Sequence, residues 1–366
     1  MKDIRALNEW SVVKNNTPIA IAGPCSAETE EQLMATCKQI KENIDITMFR
    51  AGVWKPRTRP GSFEGVGEEG LKWFKNVKKE LDMPITVEVA NAEHVELALK
   101  HDVDVLWIGA RSTVNPFTVQ EIADALKGTN VPVMIKNPLN PDLALWKGAI
   151  ERIYNAGIRD IAALHRGFSS FEKTKYRNIP MWKLAIELKT DLPNIPLICD
   201  PSHIGGSRDL ILPVSQKAMD LDFDGLMIET HYNPTEAWSD AAQQVTPARL
   251  AEILNEVKIK QRQLDPSDLD ANQLDDLRGK IDRIDNEILD ALASRMGVVN
   301  QIGEYKRDHN LTVFQADRWI NVFQSRPGAA SDLGLSKEFV EQMFKLIHDE
   351  SIRLQTKIVN TEKENV

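Results

Sequence analysis

Residues 18–52 read PIAIAGPCSAETEEQLMATCKQIKENIDITMFRAG, and this stretch sets the pattern for most of the chain. It begins and ends with a short apolar run, and the segment between them carries apolar residues at helical spacing. The apolar runs are continuous rather than alternating, which indicates strands buried on both faces, as in parallel sheets. The stretch therefore predicts one strand–helix–strand unit.

The same alternation continues to about residue 260. Eight apolar runs are present: PIAIAGPC, ITMFRAG, PITVEVA, VDVLWIGA, VPVMIKN, IRDIAALHRG, IPLICDPSH and GLMIETH. Eight strand–helix units in about 250 residues predict an α/β fold of the TIM (β/α)8 barrel type. A doubly wound open sheet is the alternative, but it usually has a Gly-rich phosphate loop after its first strand, and GPCS is not such a loop.

A second, all-α domain is predicted beyond the barrel. We place the barrel at residues 1–260, a linker at 261–267 and the helical domain at 268–366. Apolar residues that step by three and four predict one long amphipathic helix to about Lys306: Leu274, Leu277, Ile281, Ile284, Ile288, Leu292, Val299 and Ile302. A shorter helix is expected over 315–325, and Ser336 can cap a last helix that ends near residue 358.

Composition excludes several classes of protein. The net charge of −9 argues against nucleic-acid binding, which needs a basic footprint. No apolar run is long enough for a membrane span, and the first five residues are too polar to open a signal peptide. The three cysteines are too few for a disulfide framework, so we expect a reducing cytoplasm.

The carboxyl ends of the strands carry most of the chemistry, because active sites of TIM barrels lie at that face. At least six cationic side chains gather there, which predicts a site for phosphorylated or carboxylated substrates. The strand ends and following loops supply Cys25, Arg50, Lys55, Arg57, Thr58, Glu88, Arg111, Ser112, Lys136, His165, Arg166, Asp200, His203, Glu229, His231 and Asp240.

Four of these residues form a plausible divalent-metal site: Cys25, His203, Glu229 and Asp240. A thiolate, an imidazole and two carboxylates suit several first-row ions, so Mn, Co, Fe and Zn all remain open. Cys37 and Cys199 are interpreted as inert packing residues. His231 is expected to be structural or to support the metal ligands.

These motifs, in this order, resemble the type I-beta form of 3-deoxy-arabino-heptulosonate 7-phosphate (DAHP) synthase over residues 10–260. The resemblance rests on GPCS, FRAGVWKPRT, GARS, IKNP, HRG, DPSHIGGSRDLILP and IETHYNP…WSDAAQQ. It implies a metal-dependent condensation of phosphoenolpyruvate with erythrose 4-phosphate. A sister family that makes an octulosonate phosphate uses a five-carbon sugar phosphate, and KPRT favours the four-carbon enzyme.

The resemblance also implies roles for individual residues. Arg111, Lys136 and Arg166, with Arg50 and Lys55 nearby, would hold phosphoenolpyruvate. Arg57, Thr58 and Ser112 would contact erythrose 4-phosphate, and the four metal-site residues align with the family's ligands. Lys55 is the candidate proton donor to the aldehyde oxygen, although a purely electrostatic role is equally open.

On the long helix, Arg295 and Lys306 are eleven residues apart, so they share a face at a separation of about 16 Å. Arg278 precedes Arg295 by seventeen residues, about 25 Å along the axis and turned to the side. It cannot reach the same small ligand unless another helix brings it there. An intertwined homodimer would do so.

Residues 268–358 resemble the all-helical chorismate mutases, whose dimers share each site between chains. The implied substrate positions are Arg278, Arg295, Lys306, Arg318, Ser351 and Gln355. Chorismate would rearrange to prephenate while Lys306 and Gln355 stabilise charge on the breaking ether oxygen. Two acidic positions that commonly contact the substrate hydroxyl in that family are Gln315 and Trp319 here.

Three hypotheses for the helical domain stay open. The first is a bifunctional synthase–mutase. The second is a synthase whose helical domain senses chorismate or prephenate without turnover, and the third is a dimerisation module without a ligand. We further hypothesise that prephenate bound at the helices lowers synthase activity.

Overall fold

The computed structural model describes residues 1–14, 18–55, 63–171, 174–260, 269–316, 319–320, 324–326, 328, 330 and 333–360. The chain divides into two compact units, Met1–Arg262 and Gln263–Val366. The predicted linker at 261–267 lies outside the described residues.

The first unit is a closed barrel of eight parallel strands in chain order. They are β1 Ile19–Gly23, β2 Met48–Arg50, β3 Ile85–Val89, β4 Val105–Ile108, β5 Val133–Lys136, β6 Ile161–His165, β7 Leu197–Cys199 and β8 Gly225–Glu229. Each strand falls within one of the eight apolar runs, so the predicted TIM barrel is confirmed. The barrel closes where Ile19 of β1 pairs with Gly225 of β8, which excludes the open sheet.

Ten helices with defined bounds belong to this unit and two to the second. They are α1 Glu30–Asn43, α2 Glu68–Leu81, α3 Ala92–Lys100, α4 Ala110–Thr113, α5 Pro116–Leu126, α6 Leu143–Asn155, α7 Trp182–Asp191, α8 Pro201–Gly205, α9 Ile211–Asp220, α10 Pro247–Glu256, α11 Leu269–Asp308 and α12 Lys337–Val359. These counts refer to the elements within the described ranges. None of these helices is long and apolar enough to cross a membrane.

Capping residues fix several helix starts at the carboxyl face of the barrel. The side chain of Asn115 caps α5 ahead of Pro116, and the side chain of Asp142 caps α6. Asp200 caps α8 by accepting a hydrogen bond from the backbone N–H of His203 at 3.0 Å. This cap fixes the short helix that carries His203 directly beyond β7.

Apolar side chains form two layers around the strands. One fills the barrel interior and includes Ile21, Trp107, Met134 and Met227, all nearly inaccessible to solvent. The larger layer lies between the strands and the surrounding helices. Strands with both faces buried explain the continuous apolar runs in the sequence.

The N-terminal segment packs at the amino ends of the barrel strands. Leu7 and Trp10 belong to the interior cluster. The backbone N–H of Arg5 donates to the carbonyl of Arg159, just before β6. No pattern in the sequence predicts this arrangement, in which the segment covers the amino ends of the strands and leaves the carboxyl ends open for the site.

In the second unit, α11 and α12 pack closely near Gly303. A methyl group added at Gly303 would lie 3.0 Å from Ile358 Cδ1 and 3.4 Å from the Cα of Gln355, so the absence of a side chain eases the packing of the two helices here. The apolar stripe on the first half of α11 remains exposed in the single chain, with exposed fractions of 42% at Leu274, 58% at Ile281 and 51% at Ile288. Ser336 caps α12 as predicted, and described residues between 316 and 330 include several helical ones.

Candidate active sites

Three predicted metal ligands converge at the carboxyl end of the barrel. Cys25 follows β1, Glu229 ends β8, and Asp240 lies in the loop after β8. Their ligand atoms all lie within 4.8 Å of one another, and Cys25 Sγ is 3.5 Å from Asp240 Oδ2. The fourth predicted ligand, His203, places Nε2 3.8 Å from Glu229 Oε1. Residues separated by more than 200 positions in the sequence thus meet at one point.

The orientation of His203 is set by Asp200. His203 Nδ1 lies 2.8 Å from Asp200 Oδ2, which turns Nε2 towards Glu229. Burial alone would raise the pKa of Asp200, but His203 and Lys136 outweigh burial and hold that pKa well below its usual value. Burial lowers the pKa of His203. A neutral imidazole oriented by an ionised carboxylate is a suitable metal ligand.

The donor set fits a divalent cation. Glu229 Oε1 is buried and has no hydrogen-bond partner among the described residues. Burial, reinforced by the charge of Glu229, raises the pKa of the Cys25 thiol to about 12. Arg50 gives Glu229 Oε1 an ion pair at 3.4 Å but no hydrogen bond, so a bound cation would give that oxygen a direct ligand bond and would deprotonate the thiol. One sulfur, one nitrogen and two carboxylate groups suit first-row ions.

Arg177, which was not predicted from the sequence, supports this cluster. One of its guanidinium nitrogens donates to Asp240 Oδ1 at 3.1 Å and to Gln243 Oε1 at 2.6 Å. Gln243 in turn donates to Glu229 Oε2 at 2.6 Å. Burial alone would raise the pKa of Asp240, but Arg177 and His203 lower it to about 2. Arg177 therefore holds two predicted ligands in place, one directly and one through Gln243.

Gln244 supports the cluster from the same loop. Its Oε1 accepts a hydrogen bond from the backbone N–H of Cys25 at 2.9 Å. Gln243 and Gln244 belong to the WSDAAQQ motif, which could have signalled a role, although that motif was used only for the family resemblance. Arg177 lies in the long loop after β6, and no local pattern marks it.

Arg50 and Lys136 flank the indole of Trp107 inside the barrel mouth. The guanidinium of Arg50 lies 4.9 Å from the ring centroid of Trp107, and Lys136 Nζ lies 5.9 Å away. Lys136 is paired with Asp200 at 3.0 Å. Arg50 donates to the carbonyl of Cys25, while its Nε and one terminal nitrogen have no hydrogen-bond partner among the described residues. Buried, unsatisfied guanidinium donors suit an anionic ligand.

Arg166 belongs to a second group of cations. It donates to Asn178 Oδ1 at 2.7 Å. Burial is the main cause that lowers the pKa of Arg166 to about 10; the neighbouring charges of Arg177 and Arg111 act in the same direction, and Asp200 opposes them. Three guanidinium groups near enough to affect one another indicate a binding site for an anion. Arg111 is exposed and the adjacent Ser112 is buried.

Lys55 reaches the metal cluster itself. Its Nζ lies 3.1 Å from Cys25 Sγ, a position from which an ammonium group can also meet a substrate oxygen. The remaining two predicted contacts of this loop, Arg57 and Thr58, lie outside the described residues. His231 is buried, and its Nδ1 accepts a hydrogen bond from the backbone N–H of Asn233.

The helical unit contains a separate cavity of about 300 Å³ between α11 and α12. Four predicted substrate positions line it: Arg295, Lys306, Ser351 and Gln355. The other lining residues are Val299, Ile302, Val313, Gln315, Trp319, Phe344, His348 and Ile352. Of these, His348 was not predicted from the sequence as a site residue.

Polar contacts fix these side chains. Arg295 donates to Ser351 Oγ at 2.7 Å, and Lys306 donates to the carbonyl of Val313 at 2.5 Å. Burial lowers the pKa of Lys306. Gln355 Oε1 is buried without a hydrogen-bond partner among the described residues.

Two predicted residues are not placed in this cavity. Arg278 is exposed, pairs with Asp275 at 3.2 Å and is not one of the described residues that line the cavity. This agrees with the helix geometry, which separates it from Arg295 within one chain. Arg318 lies outside the described residues.

Comparisons with known proteins match both units. The model of the DAHP synthetase I family matches residues 7–264, and the chorismate mutase type II model matches residues 277–356. A phospho-2-dehydro-3-deoxyheptonate aldolase of Thermotoga maritima is 32% identical over 238 residues, which cover 65% of this chain and 68% of that protein. A 2-dehydro-3-deoxyphosphooctonate aldolase of Vesicomyosocius okutanii is 27% identical, with coverage of 68% and 92%.

A solved structure matches about two thirds of the chain. The crystal structure of a DAHP synthase from Thermotoga maritima superposes with a TM-score of 0.58 at 29% identity, covering 65% of this chain and 67% of that one. The chain therefore belongs to the DAHP synthetase I family and carries a chorismate mutase type II domain on the C-terminal side of its barrel.

Proposed function

We propose that the barrel condenses phosphoenolpyruvate with erythrose 4-phosphate to DAHP and phosphate, the first step of the shikimate pathway. The observation that carries this proposal is the cluster of Cys25, His203, Glu229 and Asp240 beside buried cations. A metal site next to anion-binding residues is what a reaction between an aldehyde and an enol phosphate requires.

The cations divide between the two substrates. Lys136, Arg166 and Arg111 hold phosphoenolpyruvate, and the unsatisfied donors of Arg50 meet its negative charge. Arg57, Thr58 and Ser112 contact the phosphate of erythrose 4-phosphate. Binding both anions at fixed positions replaces a collision of two like-charged molecules with a reaction between oriented neighbours.

Cys25, His203, Glu229 and Asp240 would hold a divalent ion, which when bound supplies Lewis acidity towards the aldehyde. Lys55 Nζ carries a proton next to Cys25 and delivers it to the aldehyde oxygen as the enol carbon attacks. Water then adds to the enol-phosphate carbon and phosphate leaves. Arg166 and Lys136 stabilise the charge of the departing phosphate.

The test of this assignment is DAHP formation by Cys25→Ala. Activity should be lost together with metal binding, measured by calorimetry with Mn²⁺. Cys37→Ala is the matched control, since Cys37 is also a buried free thiol but packs in the outer core. Normal activity and normal metal affinity in Cys25→Ala would reject the ligand assignment.

We propose that the helical unit rearranges chorismate to prephenate. The cations at the cavity hold the two carboxylates in a reactive conformer, and Lys306 with Gln355 stabilises charge on the breaking ether oxygen. Chorismate consumption should be lost in Arg295→Ala and kept in Lys345→Ala, an exposed position on α12. Chorismate binding without turnover by the wild-type protein would instead establish a sensor domain.

The exposed stripe of α11 supports a homodimer formed through the helical units. A second chain would cover the apolar side chains and bring its Arg278 to the cavity of the first. Sedimentation should show a dimer, and Ile281→Asp should weaken it. The substrates and free cysteines fit a cytoplasmic location.

Coupling between the two activities forms the last part of the proposal. Prephenate bound at the helices lowers the rate of DAHP formation, because a later product would then limit the first step. Unchanged synthase rates under saturating prephenate would refute this coupling.

A further inference from the structure

The helical cavity differs from the family pattern in having no carboxylate among the described residues that line it. Gln315 and Trp319 occupy the two positions where chorismate mutases commonly have acids that contact the substrate hydroxyl. The structure places both side chains at the cavity. An indole can donate a hydrogen bond but cannot accept one, so Trp319 cannot replace a carboxylate as an acceptor.

His348 is the polar residue placed to take over that contact. It lies on α12 three positions before Ser351 and seven before Gln355, so the three side chains share one helix face. Its ring packs on Trp319 with centroids 3.7 Å apart. Its Nε2 is buried and has no hydrogen-bond partner among the described residues.

We propose that His348 Nε2 hydrogen-bonds the ring hydroxyl of chorismate, in place of the carboxylate that Trp319 has displaced. The inference rests on the proposed mutase function and names a further substrate-binding residue at that site. An imidazole can accept or donate a hydrogen bond according to its tautomer, whereas buried polar atoms in native structures are rarely left without any partner. Trp319 then serves as a surface that fixes the orientation of the imidazole ring.

The charges around His348 favour a neutral ring. Burial lowers the pKa of His348, and Arg295 and Lys306 on α11 lower it further, while Asp349 on α12 opposes them. A neutral ring keeps an acceptor nitrogen, and it leaves the two carboxylates of the substrate to Arg295 and Lys306.

Two variants separate this role from simple packing. His348→Phe keeps an aromatic ring against Trp319 but removes the nitrogen, whereas His348→Gln removes the ring and keeps hydrogen-bonding capacity. We expect His348→Phe to lose about tenfold or more in kcat/KM for chorismate, and His348→Gln to retain most of it. The opposite order, with Phe near wild type and Gln impaired, would overturn the proposal.

A substrate analogue provides a second test of the proposed hydrogen bond. With a chorismate analogue whose ring hydroxyl is replaced by hydrogen, wild type and His348→Phe should differ by less than about twofold, because the lost partner is already absent. Equal losses on both substrates would show that His348 acts through packing. His309→Phe is the matched control, since His309 also stacks on an aromatic ring, that of Tyr305, but is not among the residues lining this cavity.

Failure of the mutase assignment is distinguishable from failure of this inference. If the wild-type protein does not consume chorismate, the mutase function fails, and calorimetry with prephenate, which keeps a ring hydroxyl, decides the role of His348. Weaker prephenate binding by His348→Phe than by wild type would retain the contact. Equal affinities, or no binding by either protein, would overturn it.

Discussion

The barrel site and the helical cavity differ in how far a single chain completes them. In the barrel, Asp200 pairs with Lys136 and His203, and Arg177 pairs with Asp240, all within one unit. In the helical unit, Arg295 lines the cavity while Arg278 points away on the same helix. Strand ends of a closed barrel converge whatever their distance in sequence, whereas one helix spreads its residues along an axis.

The two sites should therefore also differ in how they bind their substrates. The barrel can hold buried charges ready for its substrates, because protein groups already orient them. In the proposed homodimer, a neighbouring chain would supply Arg278 to the cavity between the two helices. The two activities should therefore respond differently to metal removal, to mixing of chains and to loss of single contacts.

The largest expected effect comes from chelation. Removal of the divalent ion should lower DAHP formation by about a hundredfold or more, because Lewis acidity at the aldehyde is lost. Chorismate consumption should stay unchanged, since the described residues that line the helical cavity include no carboxylate or thiol. Both rates are measured on the same dialysed protein, with Mn²⁺ added back as the control. Loss of both activities on chelation would show that the helical site also depends on the metal ion.

Mixing of inactive chains tests the shared site. In a mixture of Arg278→Ala and Arg295→Ala chains, half the dimers have one intact site, so about a quarter of wild-type mutase activity should return. Arg295→Ala mixed with Lys306→Ala is the matched control, because both changes affect the cavity of one chain and every site stays damaged. No recovery in the first mixture would mean that each chain builds its site alone.

Arg177→Ala tests the brace of the metal cluster. Loss of its hydrogen bonds to Asp240 and Gln243 should weaken metal binding by about 10- to 100-fold. This is the typical effect of removing a residue that hydrogen-bonds a metal ligand. The affinity for Mn²⁺ is measured by calorimetry. Arg249→Ala, which removes an exposed arginine paired with Glu252, should leave it unchanged. An affinity within twofold of wild type in Arg177→Ala would show that Arg177 does not hold the metal ligands in place.

The smallest effects concern helix caps. Ser336→Ala removes the cap of α12 and should destabilise the helical unit by about 1 kcal/mol. Thr246→Ala removes the cap of α10 and should cost the barrel a similar amount. Calorimetric scans that resolve two transitions should show each variant lowering a different one. A shift of both transitions by either variant would indicate that the units unfold together.

Much of the fold was predictable because its physical cause is local. Continuous apolar runs marked strands with two buried faces, and regular three- and four-residue steps marked α11. The N-terminal segment escaped prediction, since Leu7 and Trp10 form no periodic pattern and their burial depends on the completed barrel. Nothing in the sequence near them indicates that the barrel has an open end to cover.

The candidate site was predictable where residues end strands. Cys25, Glu229 and Lys136 could be found in this way, because the topology alone places strand ends together. Arg177 and His348 could not be found from the sequence, and Gln243 could be found only through its place in the WSDAAQQ motif. Arg177 and Gln243 act from loops whose path depends on tertiary packing, and His348 became recognisable only when its ring was found against Trp319 in the cavity.

In this proposal, one chain carries two separate active sites. The most direct measurement is DAHP formation and chorismate consumption, assayed side by side on the full-length wild type, Cys25→Ala and Arg295→Ala. The account predicts that Cys25→Ala loses only DAHP formation and that Arg295→Ala loses only chorismate consumption. Wild-type protein that forms DAHP but leaves chorismate untouched, or variants that lose both activities together, would contradict it.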